Sequence, residues 1–570
     1  MAATQIWFGP SHRRLFGWFH LPDRAEARGG VVLCPPIGRD YLQAHYALRR
    51  LAIRLETAGF CVLRFDYDGT GDSAGAGTDP GRVEAWLDSV DSALCVVRGA
   101  GASWVALVGM RLGATLAAES ARRDGNVDAL VLWDPNPSGR AFLSQQRALA
   151  AVSLGVTPTR PDGSVEIPAL VFDAETVRDL AELRIDADAG RLADHIVVLT
   201  RAPHDDMRLR AALASADVDW DEARGQSELI DADSPHQVLP DATIDRIVAW
   251  LSEHVGAGTT AMRAPDEGGE ATVDAPGTDT GVVERPALFG PLGLFGLITE
   301  APRATAGPTV VFLSVANEHH VGPNRLWVEL ARRLALVGLR SVRIDLSGLG
   351  DSPVRDGQPE FVSRAPWAFV DVADVARAVS PDDPSNIVLV GLCSAAYQAI
   401  ESALELRPRG VVAINPVLSF QPPEVLAGDP LDPRRRIAWP RGAVVQSFHH
   451  QGPLSPLRRR FPNIGWRIRI LMAPSRRSAV WLKELADAGV DLLLICGERE
   501  ARPIHQGASA RLLQKLARTG RLRFEFIPGL DHGLLRAEDR DRVSEMLIDH
   551  LRDRFGDSVE AAPGQAPVTP

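Results

Sequence analysis

Ile387-Val388-Leu389-Val390-Gly391-Leu392-Cys393-Ser394-Ala395 is the stretch on which the reading of this 570-residue chain turns. Its aliphatic run reads as a buried strand, and residues 396–406 continue with helical spacing. Gly391 and Ala395 stand two places either side of Cys393, as a strand-to-helix turn too tight for larger side chains requires. Such an elbow holds one side chain clear of the backbone, which makes Cys393 the candidate nucleophile. Centring the turn on Ser394 would put Leu392 at a crowded position. The alternative is a cysteine that merely fills space, and this suits Cys34, Cys61, Cys95 and Cys496, on or beside expected strands.

Outward from the elbow, short apolar runs alternate with amphipathic helical stretches, predicting α/β architecture with mostly parallel sheets covered by helices. Strands are expected at 309–315, 341–346, 387–391, 410–414, 491–496 and 522–527. An earlier set falls at 30–34, 61–65, 104–108, 129–133, 195–200 and 227–230. Between the fourth and fifth strands of each set lies a long insertion at the carboxyl end of the sheet, where a lid would sit.

The two sets repeat one pattern. Phe8-Gly9-Pro10 and Leu15-Phe16-Gly17 are echoed by Phe289-Gly290-Pro291 and Leu294-Phe295-Gly296. Asp66-Tyr67-Asp68-Gly69-Thr70-Gly71-Asp72-Ser73 matches Asp345-Leu346-Ser347-Gly348-Leu349-Gly350-Asp351-Ser352. Leu107-Val108-Gly109 matches Leu389-Val390-Gly391, and Asp134-Pro135 matches Asn415-Pro416. The near-constant offset predicts a duplicated domain, 1–255 and 286–556. Residues 256–285, rich in Gly, Thr, Ala, Pro and acidic residues, read as a flexible linker, and 557–570 as a disordered tail.

A thiol nucleophile needs a base, and the base an orienting acid, in the chain order nucleophile, acid, histidine. Glu500 follows the strand expected at 491–496, with Glu498 as the alternative acid, and His532 follows the last strand. The oxyanion hole is expected to combine the Ser394 N–H with an N–H from Val315, Ala316 or Asn317. Asn324 and Arg325 are read as contacts for polar substrate groups, and His319 and His320 as rim residues rather than metal ligands. The first half keeps the glycines of the elbow, Gly109-Met110-Arg111-Leu112-Gly113, but places Arg111 at the nucleophile position. Arginine stays charged and excludes acyl chemistry there. His236 and Asp205 or Asp206 remain with nothing to activate, which leaves a degenerate domain, an anion site built on Arg111 or, as a minor third reading, His236 as an independent base.

Composition narrows the function classes. A net charge of −11 disfavours a dedicated nucleic-acid binder. Hydrophobic residues at 45% and charged residues at 24% are ordinary for a globular protein. Five scattered cysteines form neither a disulfide framework nor a metal-ligand spacing, so no metal and no cofactor is expected. The first 22 residues lack a basic region followed by an apolar run, and no stretch has membrane-spanning length, so a cytoplasmic address is expected.

These residues resemble the α/β-hydrolase superfamily over nearly the whole chain. Leu33-Cys34-Pro35-Pro36-Ile37-Gly38-Arg39-Asp40-Tyr41-Leu42 is similar to serine-aminopeptidase-like hydrolases associated with exosortase and polysaccharide loci. Gly322-Pro323-Asn324-Arg325 and Gly391-Leu392-Cys393-Ser394 resemble related hydrolases with cysteine at the elbow. The resemblance implies acyl transfer or hydrolysis through an acyl-S-enzyme, as in polyhydroxyalkanoate synthases and dienelactone hydrolase. Between 418 and 490 stand twelve basic and five acidic residues, interleaved with Trp439, Phe448, Phe461, Trp466 and Trp481. That segment is either a solvated basic face or a dock for an anionic acyl donor such as a coenzyme A thioester or an acidic carrier protein. Two functions remain open: a cysteine-dependent thioesterase or acyltransferase in the second half, or a catalytically silent tandem scaffold.

Overall fold

The computed structural model describes residues 3–556 apart from 156–158, 169, 202–206, 232–236, 266–268, 276–277, 279, 303–306, 363–364, 418–476 and 508–509. The chain has an α/β fold with two large, mostly parallel sheets flanked by helices. The first sheet runs in the order Thr4–Phe8, Leu15–His20, Cys61–Phe65, Gly30–Cys34, Val105–Met110, Ala129–Trp133, His195–Thr200, Val218–Glu222. The second runs Ala271–Asp274, Gly281–Phe289, Leu294–Glu300, Ser341–Ile344, Thr309–Leu313, Ile387–Leu392, Gly410–Ile414, Asp491–Cys496, Leu522–Phe526. Apart from the added edge strand Ala271–Asp274, the two orders correspond strand for strand. In both, the second strand of the leading hairpin runs antiparallel to both of its neighbours, and the strands beyond it are parallel to one another. The central strands are buried along their length, as parallel strands covered on both faces must be.

Two expectations are corrected. The segment 256–285 is ordered at three places: Thr260–Ala261 pairs with Glu26–Ala27, Ala271–Asp274 pairs with Gly281–Phe289, and that last strand begins inside it. Ala271, Val273 and Val282 alternate inward and pack with Trp7, Phe16, Trp18 and Phe295 in a core that joins the two halves. Too few residues alternate for this to stand out among glycines and acids. The strand expected at 227–230 is instead the short helix Gln226–Ile230, and the edge strand is Val218–Glu222, whose Val-Asp-Trp-Asp-Glu run is half polar. The tail 557–570 lies outside the described residues.

The halves meet through matched residues. Phe16 stacks on Phe295 with centroids 6.5 Å apart. Arg64 donates to Asp351 at 2.7 Å, and Arg343 pairs reciprocally with Asp72. Arg343 and Arg332 both reach Glu284, at 2.8 Å each. All these charges are buried, so their desolvation cost is offset only because each has an opposite partner.

Candidate active site

The strand Ile387–Leu392 runs straight into the helix Ser394–Leu406 with Cys393 between them at φ 55° and ψ −110°. A positive φ on a non-glycine residue is strained by about 1–3 kcal/mol and persists only where the surroundings enforce it. They do so here: a Cβ on Gly391 would lie 2.3 Å from the carbonyl carbon of Ala395, and the Cys393 N–H donates to the Ile414 carbonyl at 3.0 Å. Cys393 is half-buried, whereas Cys34, Cys61 and Cys496 are buried and burial pushes their thiols up to about 12.

His532 lies in the loop after Leu522–Phe526. A hydrogen bond with the Cys393 thiol holds its imidazole pKa above the ordinary 6.5; burial opposes this and Glu500 reinforces it. Nδ1 of His532 is 2.8 Å from Oε1 of Glu500, which is buried in the first turn of the helix Glu498–Gly507. Glu498 points elsewhere and accepts the Gly529 N–H at 3.1 Å. Cys393, His532 and Glu500 therefore form one hydrogen-bonded chain, and of the two candidate acids Glu500 is the one at the imidazole.

Asn415, absent from the sequence-based site, ties this chain together. It sits at φ 44° at the end of Gly410–Ile414, fully buried. Its Nδ2 donates to the carbonyls of Asp531 and His532 at 3.0 and 3.1 Å, and its Oδ1 accepts the Gly497 N–H at 3.0 Å. One amide thus joins the turn before Glu500 to the loop carrying His532. The only sequence signal was its match to Asp134, because a role exercised through backbone carbonyls leaves no side-chain motif.

On the other side of the elbow, Ala316 adopts φ 52° and its N–H donates to the Ser394 hydroxyl at 2.8 Å. Val315 accepts the Glu318 N–H at 2.9 Å, and Asn317 is buried beside it with its Oδ1 unpartnered. Asn324 and Arg325 are not placed for substrate. Arg325 is buried and donates to the carbonyls of Gly71, Gly75 and Ser73 in the first half at 2.9, 2.8 and 2.6 Å. Asn324 donates to the Leu534 carbonyl at 3.0 Å, bracing the His532 loop. Nor are His319 and His320 at a rim. His320 is buried between Asp345 and Asp72, at 2.8 and 2.6 Å, and His319 stacks on His45 with centroids 3.9 Å apart. Sequence alone could not show that Arg325, His319 and His320 face the other half of the chain.

The elbow of the first half keeps the same backbone, with Arg111 at φ 56° and ψ −123°. Its buried guanidinium is saturated by the protein: Asp40 at 3.2 Å, Asp134 at 3.1 Å and Gln145 at 2.6 Å. With two carboxylates already on it, Arg111 is not available as an anion site. Asp205, Asp206 and His236 lie outside the described residues, as does the basic segment of the second lid up to 476. Among the described residues no helix is long and apolar enough to cross a membrane.

With that geometry in place, residues 318–546 match the family model described as the alpha/beta hydrolase family. That match supports a hydrolase-type enzyme. Among solved structures, the chain is similar to a putative hydrolase from Agrobacterium vitis at 20% identity, covering 45% of this chain and 98% of that one, with a TM-score of 0.31. It is similar to dienelactone hydrolase from Anabaena variabilis at 12% identity, covering 50% and 99%, with a TM-score of 0.30. Est1E from Butyrivibrio proteoclasticus, solved with ferulic acid bound, is 12% identical over 44% and 99%, with a TM-score of 0.34. No curated protein matches the chain.

Proposed function

We propose that the second half is a cysteine-dependent acyl-transfer enzyme, a thioesterase or acyltransferase, and that the first half is a non-catalytic copy of the same fold. The hydrogen-bonded chain Cys393, His532, Glu500 carries the reading. The Cys393 sulfur attacks the carbonyl carbon of a thioester or activated ester as its proton passes to His532. The tetrahedral oxyanion is held by the Ser394 N–H and by the Ala316 N–H, which the Ser394 hydroxyl releases as substrate enters. Collapse of the intermediate breaks the bond to the leaving group, which takes the proton from the imidazolium. Water or another acceptor then attacks the acyl-S-enzyme, gives its proton to His532, and restores the thiol. The basic residues between 418 and 490 favour an anionic donor such as a coenzyme A thioester or a carrier-protein thioester.

The test is intact-protein mass spectrometry after exposure to an acetyl thioester. One acyl adduct is expected on the native chain, and none on Cys393→Ala or His532→Ala. Equal labelling of all three proteins, or no labelling of the native chain, overturns the reading and leaves the silent scaffold.

A further inference from the structure

The segment that follows the His532 loop is held directly by the first half on one side, and the loop is braced on the other through Asn324, whose neighbour Arg325 is anchored in the first half. On one side lies Glu166, in the short strand Val165–Ile167 of the first half's insertion. Its Oε1 accepts the N–H of Ala537, the first residue of the helix Ala537–Phe555, at 2.9 Å. Beside it, Arg536 donates to the carbonyl of Leu154 at 2.9 Å, so two consecutive residues just past the His532 loop are pinned to one insertion. On the other side, the Arg325 guanidinium is locked onto the Gly71, Ser73 and Gly75 carbonyls. Its neighbour Asn324 donates to Leu534, two residues beyond His532.

Both Asn324 and Arg325 have positive φ, 56° and 65°, and so does Leu534 at 55°. Such conformations are kept only where neighbours impose them. Within the second half, Asp531 accepts the Gly533 and Leu535 N–H groups at 3.0 Å each, and Arg540 donates to the Leu534 and Leu535 carbonyls at 3.1 and 2.8 Å. These contacts shape the loop internally. Within the half, Asn415, Asn324 and Glu498 tie the loop to its surroundings, and Glu166 reaches the residue just past it from across the halves.

We infer that the first half acts as a clamp on the histidine loop of the second, with Glu166 a positioning residue that sets the Cys393 to His532 geometry by way of Ala537. This gives the first half a task that needs no nucleophile. Glu166 touches no reacting atom, and the inference rests on the reading of His532 as the base.

The experiment compares the full-length native chain, Glu166→Ala and Glu166→Gln. The rate of Cys393 alkylation by iodoacetamide is followed against pH, with thermal midpoints measured alongside. A small misplacement of a reacting pair can cost orders of magnitude, so Glu166→Ala is expected to slow alkylation near pH 7 by about tenfold and to move the inflection of the profile. Glu166→Gln, whose amide oxygen still accepts from Ala537, is expected to recover most of that rate. Should Glu166→Ala fail to fold, Glu166→Asp, one methylene shorter, serves as the deletion. Superimposable profiles for all variants overturn the clamp. If the native profile is instead indifferent to His532→Ala, the acyl-transfer reading fails by itself. The clamp is then decided by the imidazole titration of His532 in nuclear magnetic resonance: a pKa displaced in Glu166→Ala and restored in Glu166→Gln supports it, and an unmoved one overturns it.

Discussion

Arg111 and Cys393 occupy the same turn of the same strand-to-helix unit, at φ 56° and 55°, yet one is sealed between carboxylates and the other is half-open beside an imidazole. The strain at the elbow therefore does not mark catalysis by itself. It is imposed by packing: a Cβ on Gly109 would fall 2.4 Å from Ala114 Cα, much as one on Gly391 would strike Ala395. The fold preserves the turn whether or not chemistry uses it. What distinguishes the halves is the residue at the end of the next strand, Asp134 at φ 46° and Asn415 at φ 44°. Asp134 accepts from Arg111 and from Arg201, while the Asn415 amide donates to the His532 loop. A carboxylate answers the charge of the arginine, and a neutral amide answers the backbone of the His532 loop.

The largest effect expected from this contrast is at the closed elbow. Arg111→Met removes the guanidinium beside Asp40, a carboxyl that burial already pushes upward. Removing one partner of a buried ion pair costs about 3–5 kcal/mol. A urea-denaturation series is expected to show that loss, with acyl labelling of Cys393 retained. A loss well under about 1 kcal/mol would mean that Arg111 is a tolerated guest at the turn and not its keystone.

The open elbow offers the reciprocal experiment. Asn415→Ala deletes two donors and one acceptor from the join between the Gly497 turn and the His532 loop. The cost in stability is about 1–3 kcal/mol, because buried backbone groups lose their partners. The cost in the acylation rate is expected to be larger, about 10- to 100-fold, because the imidazole is no longer held against the thiol. A rate falling only as far as the folded fraction falls would reduce Asn415 to a structural residue.

Most of the scaffold was legible because parallel strands buried on both faces leave unbroken apolar runs: 30–34, 61–65, 129–133, 195–200, 410–414 and 491–496 were read to the residue. Cys393, Glu500 and His532 could be named because each follows a strand at the place where this architecture opens its site, and the structure brings those three side chains together. What escaped was whatever depends on a partner far away in sequence. Arg325 looks like a substrate contact until its guanidinium is found on three carbonyls some 250 residues distant. His320 looks like a rim residue until Asp72 is found behind it. Asp219, Asp221 and Glu222 hid an edge strand, since an edge tolerates the polar residues that a central strand excludes.

The smallest effect separates the halves at their shared interface. Tyr41 donates to Asp66 at 2.6 Å where, at the matched place, His320 meets Asp345. Burial alone would lower the His320 pKa; the carboxylates of Asp345 and Asp72 outweigh it and hold the imidazolium up to about 10. In the unfolded chain that imidazole titrates near its ordinary 6.5. A folded-state pKa raised above the unfolded one contributes stability that is complete below about pH 6.5 and is lost as pH rises toward about 10. Tyr41 stays neutral throughout, because burial and Asp66 raise its phenol well above the usual value. His320→Gln is therefore expected to flatten the decline of the urea midpoint between pH 7 and 9, and Tyr41→Phe to leave its slope intact. A native midpoint that does not fall over this range would mean that the two histidine-facing aspartates share a proton differently, and the asymmetry between the halves would then be confined to their elbows.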